Sequence, residues 1–379
     1  MKKKFYIADF KTKNIIPNLI GNLNIVFPFK IYTKFQLNGI LIICSICFFN
    51  ATLAQDIHFS QYFANPISYN PANTGFYDGS YRLGLNHKQQ WPWAIKGKML
   101  NYNTTAVYGD FSFLDKKINN TDWAGIGINY INDIAGDGNL QANKVYLSLA
   151  YHKGLDKNHK HFLSLGFVAG LVHRSVDFSK LYFNSQWVDK VGFDLTLPQQ
   201  ETYAKQNTLY YDLGFGLQGS NKIGDKVRLM YGYSMLHFNR PKESFYQQDN
   251  KIGARHLLQA GVNYQVNDRI DIDASAYFTY QKKAMEILFS AIGGFKLNNN
   301  PKQKTQKLYV GAMYRLNDAV SPLMGYQFNR TRLLINYDIN LSSLTKASKG
   351  NGGFEISLVQ IGTFKRKKNY KYKTHCPSF

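Results

Sequence analysis

The sequence predicts an all-β protein: a transmembrane outer-membrane β-barrel of about 14 antiparallel strands, with an N-terminal periplasmic segment. Three observations lead there. Polarity alternates residue by residue through most of the chain, the mark of strands with two unlike faces. The strands come to an even count, and most are near the ~10 residues that cross a bilayer at a tilt. Aromatic residues make up 15% of the 379 residues and charged ones only 18%, against about 25% charged in an average soluble domain.

The N-terminal 54 residues read as a removable leader. Residues 1–38 carry seven Lys and one Asp, and an uncharged run from Leu37 to Phe49 follows, ending in Ala51-Thr52-Leu53-Ala54. A basic region, a short apolar core and a small residue at the cut make the secretory pattern, and the apolar run is shorter than the ~20 residues of a spanning helix. Cleavage after Ala54 leaves Gln55 first. The n-region is long, so the start codon could be placed too far upstream. Cys44 and Cys47 leave with the leader, and Cys376 alone cannot form an intramolecular disulfide. Beyond the leader, 46 − 7 = 39 basic residues face 24 − 1 = 23 acidic ones, or +16. Six of those cations lie in the basic C-terminal tail, 365–379, which holds no acid. That concentration is an interaction or solvation feature rather than a fold feature.

Residues 55–80 form the N-terminal periplasmic or rim segment, which is not strand-like. Pro66 and Pro71 bias Asn65 and Asn70 away from helix, so the segment either tucks into the barrel or lies along its rim. The barrel then occupies 81–364. Its expected strands are 81–91, 99–113, 122–134, 141–155, 161–178, 209–220, 227–239, 253–266, 268–281, 284–296, 307–316, 320–328, 331–340 and 352–362. In the fourth, Val145, Leu147, Leu149 and Tyr151 share one face, and Lys144, Ser148 and His152 the other. In the fifth, Leu163, Leu165, Phe167, Ala169 and Leu171 alternate with Ser164, Gly166 and Gly170. The ninth sets Ile270, Ile272, Ala274, Ala276, Phe278 and Tyr280 against Asp271, Asp273, Ser275 and Thr279. The thirteenth sets Leu333, Ile335, Tyr337 and Ile339 against Arg332, Asn336, Asp338 and Asn340. Asn-, Asp- and Gly-containing turns separate the strands. The three longest gaps, 179–208, 240–252 and 341–351, all follow odd-numbered strands, which puts them at one end, the outer one if the N-terminus is periplasmic. A soluble β-sandwich also alternates, but its outer face would carry Lys and Glu. Here the polar faces are rich in Gly, Ser, Thr, Asn and Tyr, as a lumen is.

Little in the chain carries chemistry. It has no G-x-x-x-x-G-K-[ST], H-E-x-x-H or G-x-S-x-G. His159 and His161 sit in a polar turn without an adjacent carboxylate or thiol, and Asp271 and Asp273 read as lumen-facing charges rather than paired acids. No cofactor or metal is expected. A leader also argues against nucleic acid as the partner of the basic tail.

The most distinctive stretch follows the cut: Gln55, Asp56, Phe59, Ser60, Gln61 and Tyr62, then Asn65-Pro66, then Asn70-Pro71-Ala72 and Gly75. It resembles the mature opening of the PorP/SprF family, outer-membrane proteins of the type IX secretion and gliding machinery. The resemblance continues through Arg82 and Asn86 to Trp91 and through Asp133 and Gly136. It extends to Gly232 and Ser234 with His237, Asn239 and Pro241, and to the ending Cys376-Pro377-Ser378-Phe379. It implies a non-enzymatic barrel whose partners are secretion-machine components in the outer membrane and periplasm, peptidoglycan-linked ones among them, or one secreted surface protein. The signature residues are expected to be architectural. Partner anchors are expected among the loop aromatics Tyr182, Phe183, Trp187, Phe193, Phe245 and Tyr246, since binding hot spots favour such residues. The alternative is a passive or selective outer-membrane porin, which would show a water-filled lumen.

Overall fold

A computed structural model describes residues 56–92, 102–113, 121–136, 138–200, 205–245, 249–298, 304–343 and 345–364. The leader, Gln55, Tyr246 and the basic tail lie outside the described residues. Fourteen antiparallel strands close into a barrel. In chain order they are β1 (Tyr81–Gln90), β2 (Tyr102–Phe113), β3 (Trp123–Ala135), β4 (Leu140–Gly154) and β5 (His161–Ser175), followed by β8 (Asn207–Ile223), β9 (Val227–Leu236), β10 (Arg255–Gln265), β11 (Ile270–Gln281) and β12 (Ala284–Lys296). The last four are β13 (Gln306–Arg315), β14 (Ala319–Phe328), β15 (Thr331–Asn340) and β16 (Asn351–Gly362). Each pairs with its neighbour in sequence, and β1 closes the ring on β16 with Tyr81 opposite Gly362 and Leu85 opposite Leu358. The 14 strands and their order match the expectation. The sequence did not foresee a two-stranded ribbon inside the loop between β5 and β8, made of β6 (Trp187–Val188) and β7 (Gly192–Phe193).

The alternation is inverted relative to a water-soluble protein. In β1, Leu83 is 46% exposed while the neighbouring inward residue Lys88 is 2% exposed. Leu147, Leu149, Phe167, Phe289, Val310 and Leu358 likewise face outward, while Lys144, Ser148, Glu286, Arg315 and Glu355 are buried. A bilayer rewards that arrangement, because lipid tails solvate the outer face and closure leaves no unpaired strand edge in hydrocarbon. Of the six aromatics that the sequence puts near strand ends, where interface girdles sit, Phe113, Tyr151 and Tyr280 are exposed there, Tyr130 is exposed mid-strand, and Tyr102 and Tyr337 are half-buried.

Strand ends depart from the alternation where the backbone turns left-handed. Trp91 (φ 51°) and His237 (φ 55°) end β1 and β9, in a region that side-chain-bearing residues seldom visit. The strand expected over 227–239 therefore stops at Leu236.

Of the two courses open to the N-terminal segment, into the barrel or along its rim, it takes the interior one. Residues 56–80 thread the barrel from the end that carries the long loops to the end where β1 begins. Asp56 meets Lys144, His237 and Arg255 at the first end, and the Ser80 amide donates to the Gly362 carbonyl at the second. The path is three 3-10 turns, Tyr62–Ala64, Pro66–Ser68 and Pro71–Asn73. Pro66 and Pro71 open the second and third, where a missing N–H costs nothing. Such short turns leave many backbone groups unpaired, so a rim position would hand them to water. The lumen wall supplies partners for them instead, and that is what draws the segment inside.

Candidate functional site

The plug and the wall that grips it form the densest polar cluster of the molecule. At its N-terminal end Asp56 is held from two strands and from the residue that follows β9. Lys144 of β4 donates to its Oδ1 at 2.8 Å, His237 donates through Nε2 to its Oδ2 at 2.7 Å, and Arg255 of β10 stands 3.8 Å away. His237 also donates through Nδ1 to Asp212 at 2.7 Å, and Tyr146 donates to the other Asp212 oxygen at 2.6 Å. A neutral imidazole has one N–H, so a ring that donates to two carboxylates is an imidazolium. The charges agree. Burial alone would lower the His237 pKa, but the carboxylates of Asp56 and Asp212 outweigh it and raise the ring to about 9. Burial would raise Asp56, but Lys144 and then His237 hold its carboxyl well below the usual range.

Two residues on, the plug backbone enters a collar of acidic, basic and amide side chains. Glu355 accepts the Ser60 and Gln61 amides at 2.8 and 2.9 Å, one on each oxygen. Asp338 accepts the Ser60 hydroxyl, while Arg315 donates to both at 2.9 and 2.8 Å. Lys88 stands 3.4 Å from Asp338. Gln61 donates to Asn336 at 2.7 Å and accepts from Ser357. His58 lies 3.5 Å from Glu286 and accepts from Arg315. Burial drives His58 down to about 3 despite Glu286, so it is neutral and able to accept. Asp338 thus sits between two cations, Arg315 and Lys88, which is how a dry interior holds a buried carboxylate.

The rest of the plug is seated by rings, amides and bare backbone. Tyr62 and Tyr69 pack against Tyr277, with Tyr62 to Tyr277 at 4.9 Å between ring centres. Tyr69 both accepts from and donates to the Phe59 backbone. Asn70 accepts the Ala72 amide at 2.9 Å and donates to the Leu217 carbonyl at 3.1 Å. His152 and Trp123 donate to the carbonyls of Thr74 and Gly75 at 2.8 and 2.9 Å. Asp110 accepts the Gly75 amide at 2.7 Å and pairs in a fork with Arg82. Two wall glycines make room: a Cβ on Gly166 would lie 2.3 Å from the Ala72 nitrogen, and one on Gly125 would lie 2.1 Å from the Thr74 oxygen. A cavity of about 90 Å³ remains beside Tyr62, Phe63, Tyr69, Met230 and Ile292, room for a few waters.

The structure therefore brings Asp56, Phe59, Ser60, Gln61, Tyr62, Asn65, Pro66, Asn70, Pro71, Ala72, Gly75 and His237 together in the lumen. Asn239, Pro241 and Trp91 stand apart from it. Asn239 bridges to the β8 backbone at Tyr211 and Leu213. The Pro241 carbonyl accepts the Ile252 amide within the loop after β9, and Trp91 donates its amide to Gly352 and packs edge-on to Tyr102. Of the loop aromatics, Tyr182, Trp187 and Phe193 are exposed and touch one another, at 5.2 and 4.9 Å between ring centres. With Val191, 78% exposed, and Leu195 they make an apolar patch on the ribbon. Phe183 is half-buried, and Phe245 packs edge-on against buried Phe178. Asp271 pairs with Lys307 at 2.6 Å and Asp273 accepts from Asn263 at 2.6 Å, and no group of three or more metal-ligating side chains occurs among the described residues. Sequence reasoning missed Asp212, Arg255, Glu286, Arg315 and Glu355. Their one signal was a charge on the inward register of a strand whose outward register is apolar.

A model of the type IX secretion system membrane protein PorP/SprF matches residues 51–359. No match was found among curated protein sequences. Among solved structures, the Pseudomonas putida toluene transporter TodX is 10% identical with a TM-score of 0.46, covering 82% of this chain and 98% of that one. A Pseudomonas aeruginosa FadL homologue is 12% identical with a TM-score of 0.45, covering 77% and 92%. The KdgM porin is 8% identical with a TM-score of 0.36, covering 75% and 99%.

Proposed function

The chain belongs to the PorP/SprF family of type IX secretion system membrane proteins, and from that premise we propose that it works by holding a partner protein at its long-loop end rather than by conducting solute. One observation carries the reading: its own residues 56–77 occupy the lumen, so the surface left for work is the rim. The exposed cluster of Tyr182, Trp187, Val191 and Phe193 lies on the longest loop of that rim. Contiguous exposed apolar side chains ringed by polar ones suit a protein contact. The long-loop end faces the outside in this reading, and the partner is a secreted surface protein or a machine component there. The leader is removed after Ala54, and the basic tail faces the periplasm, where acidic or peptidoglycan-linked components are its partners. The signature residues act as architecture, fixing the plug so that the rim keeps one shape.

The test is a clean deletion complemented by wild type or by the Trp187→Ser, Phe193→Ser double variant, with the secreted and cell-surface proteins quantified. Loss of one large surface protein, restored by wild type and not by the double variant, supports a dedicated partner. Broad loss of secreted proteins supports a core machine role. An unchanged set of secreted proteins overturns both and leaves the porin.

A further inference from the structure

Two cavities meet at the end of the lumen where β1 begins. The inner one, about 90 Å³, lies between Tyr62, Phe63 and Tyr69 of the plug and Met230, Ile292 and Leu334 of the wall. The outer one, about 210 Å³, lies among Thr305, Gln327, Asn329 and Val359. Tyr309, Arg332 and Ile361 line both and make the neck between them. Ile361 stands opposite Arg82, the second residue of β1, and Arg332 is the second residue of β15. Together the two reach the ~300 Å³ at which small-molecule pockets begin. The plug closes the inner cavity toward the long loops, where Tyr62 and Tyr69 pack on Tyr277. A molecule entering from the outer cavity stops there, so the site holds a ligand and does not pass it through the barrel.

The neck also carries a cation with nothing to pair it. Of the other cations nearby, Arg82 forks onto Asp110 at 3.0 and 2.8 Å, and Lys307 pairs with Asp271 at 2.6 Å. Arg332 has, among the described residues, a ring contact and no hydrogen bond or ion pair: its guanidinium lies 5.6 Å from the centre of the Tyr309 ring. Tyr309 is held in place by donating to Gln327 at 2.7 Å. A guanidinium resting on an aromatic face keeps its in-plane N–H fork free, and that fork matches a carboxylate. The remaining charges on the two cavities limit what can bind. Arg330 and Arg332 stand against Asp78 in the outer cavity and Asp273 in the inner one, where Asp273 accepts from Asn263 at 2.6 Å. Two cations against two acids suit one added negative charge and oppose a polyanion, since like charges brought together are costly.

We propose that the two cavities form one binding site for a small monocarboxylate with a short apolar chain, its carboxylate on Arg332 and its chain in the inner cavity. The inner volume sets the chain length. A water takes up about 30 Å³ of liquid, and a methylene is of similar size, so the cavity takes about three such groups beyond the neck. The rings of Tyr62, Phe63 and Tyr69 and the side chains of Met230, Ile292 and Leu334 remove that chain from water. The site lies at the opposite end of the barrel from the long-loop rim, and its test uses no protein partner, so it stands or falls apart from the docking at that rim.

The test uses the full chain in lipid nanodiscs, carrying Cys44→Ser, Cys47→Ser and Cys376→Ser and one reporter: Met230→Cys in the inner cavity or Leu195→Cys on the exposed ribbon. Labelling by a small neutral methanethiosulfonate is timed with hexanoate or hexanol present. Hexanoate should slow labelling at 230 saturably and leave 195 unchanged. Hexanol, which lacks the charge, should need about tenfold more for the same protection, the worth of one charge-assisted bond. Arg332→Gln should raise the half-protecting hexanoate concentration by about tenfold and remove its advantage over hexanol, and Arg332→Lys should recover part of it. No protection at 230 overturns the site. Equal protection by hexanoate and hexanol, or hexanoate protection that survives in Arg332→Gln, overturns the place of the carboxylate on Arg332. Slowing at 195 as large as at 230 means that the amphiphile acts on the bilayer, and overturns the cavity as its seat.

Discussion

Residues 56–61 of the plug meet the wall mainly through charged side chains, whereas residues 62–77 meet it mainly through rings, amides and backbone, with the Arg82–Asp110 pair at Asn73 and Gly75 as the exception. The first part touches Lys144, His237, Glu355, Asp338 and Arg315. The second touches Tyr277, the Leu217 carbonyl and the space left by Gly125 and Gly166. Asp56, Ile57 and His58 are half-buried, while most of residues 62–77 are buried. The two parts differ also in how each responds to change. A contact of charges depends on proton uptake and on every member of the set being present. A contact of shape depends on volume and is blind to pH.

The comparison breaks most severely at Asp338. Asp338→Ala removes the shared partner of Arg315, Lys88 and Ser60, leaving two cations in a dry lumen. Loss of one member of a buried pair costs about 3–5 kcal/mol, so the urea midpoint should fall sharply and the plug should become open to protease. Asp338→Asn falling as far would show that the charge is what matters; a midpoint unchanged by Asp338→Ala would show that water reaches the collar. On the other side of the comparison, Gly166→Leu drives a side chain into Pro71 and Ala72. Overpacking typically costs about 1–3 kcal/mol, and here the loss should be the same at pH 6 and pH 9. A pH-dependent loss would erase the distinction between the two parts.

The smallest effect is the pH response of the Asp56–His237 pair. The His237 pKa is raised to about 9 in the fold, above its ordinary 6.5, so its contribution is complete below 6.5 and is lost as pH rises through 9. Asp56 is lowered, so its contribution is present above its ordinary value and lost as pH falls below it. The groups around the pair are Lys144, Arg255, Asp212 and Tyr146. Protection of Ile57 against hydrogen exchange should therefore be greatest near pH 5–6 and weaken toward pH 9, while that of Ala72 stays level. Equal weakening at both amides would contradict it.

The barrel was legible because lipid on one side and a polar lumen on the other impose period two on every strand. Strand ends were less so: nothing in the alternation announces that His237 or Trp91 turns left-handed. The opening run stood out, yet its place in the lumen did not. Ser60 and Asp338 are 278 positions apart, and Gln61 and Glu355 are 294 apart. A period tells which face a residue takes, not which residue across the barrel it meets. Asp271 and Asp273, inward as read, lie outside the collar altogether.

The seam of the barrel joins its first strand to its last, Tyr81 opposite Gly362, and the collar draws its acids from β15 and β16, at Asp338 and Glu355. The same late-made stretch of chain therefore supplies both the edge that shuts the cylinder and the groups that fasten its contents. Shutting and filling become one event: a chain interrupted before those strands can neither close nor keep its interior occupied. An assembled barrel certifies that its synthesis reached the end of β16.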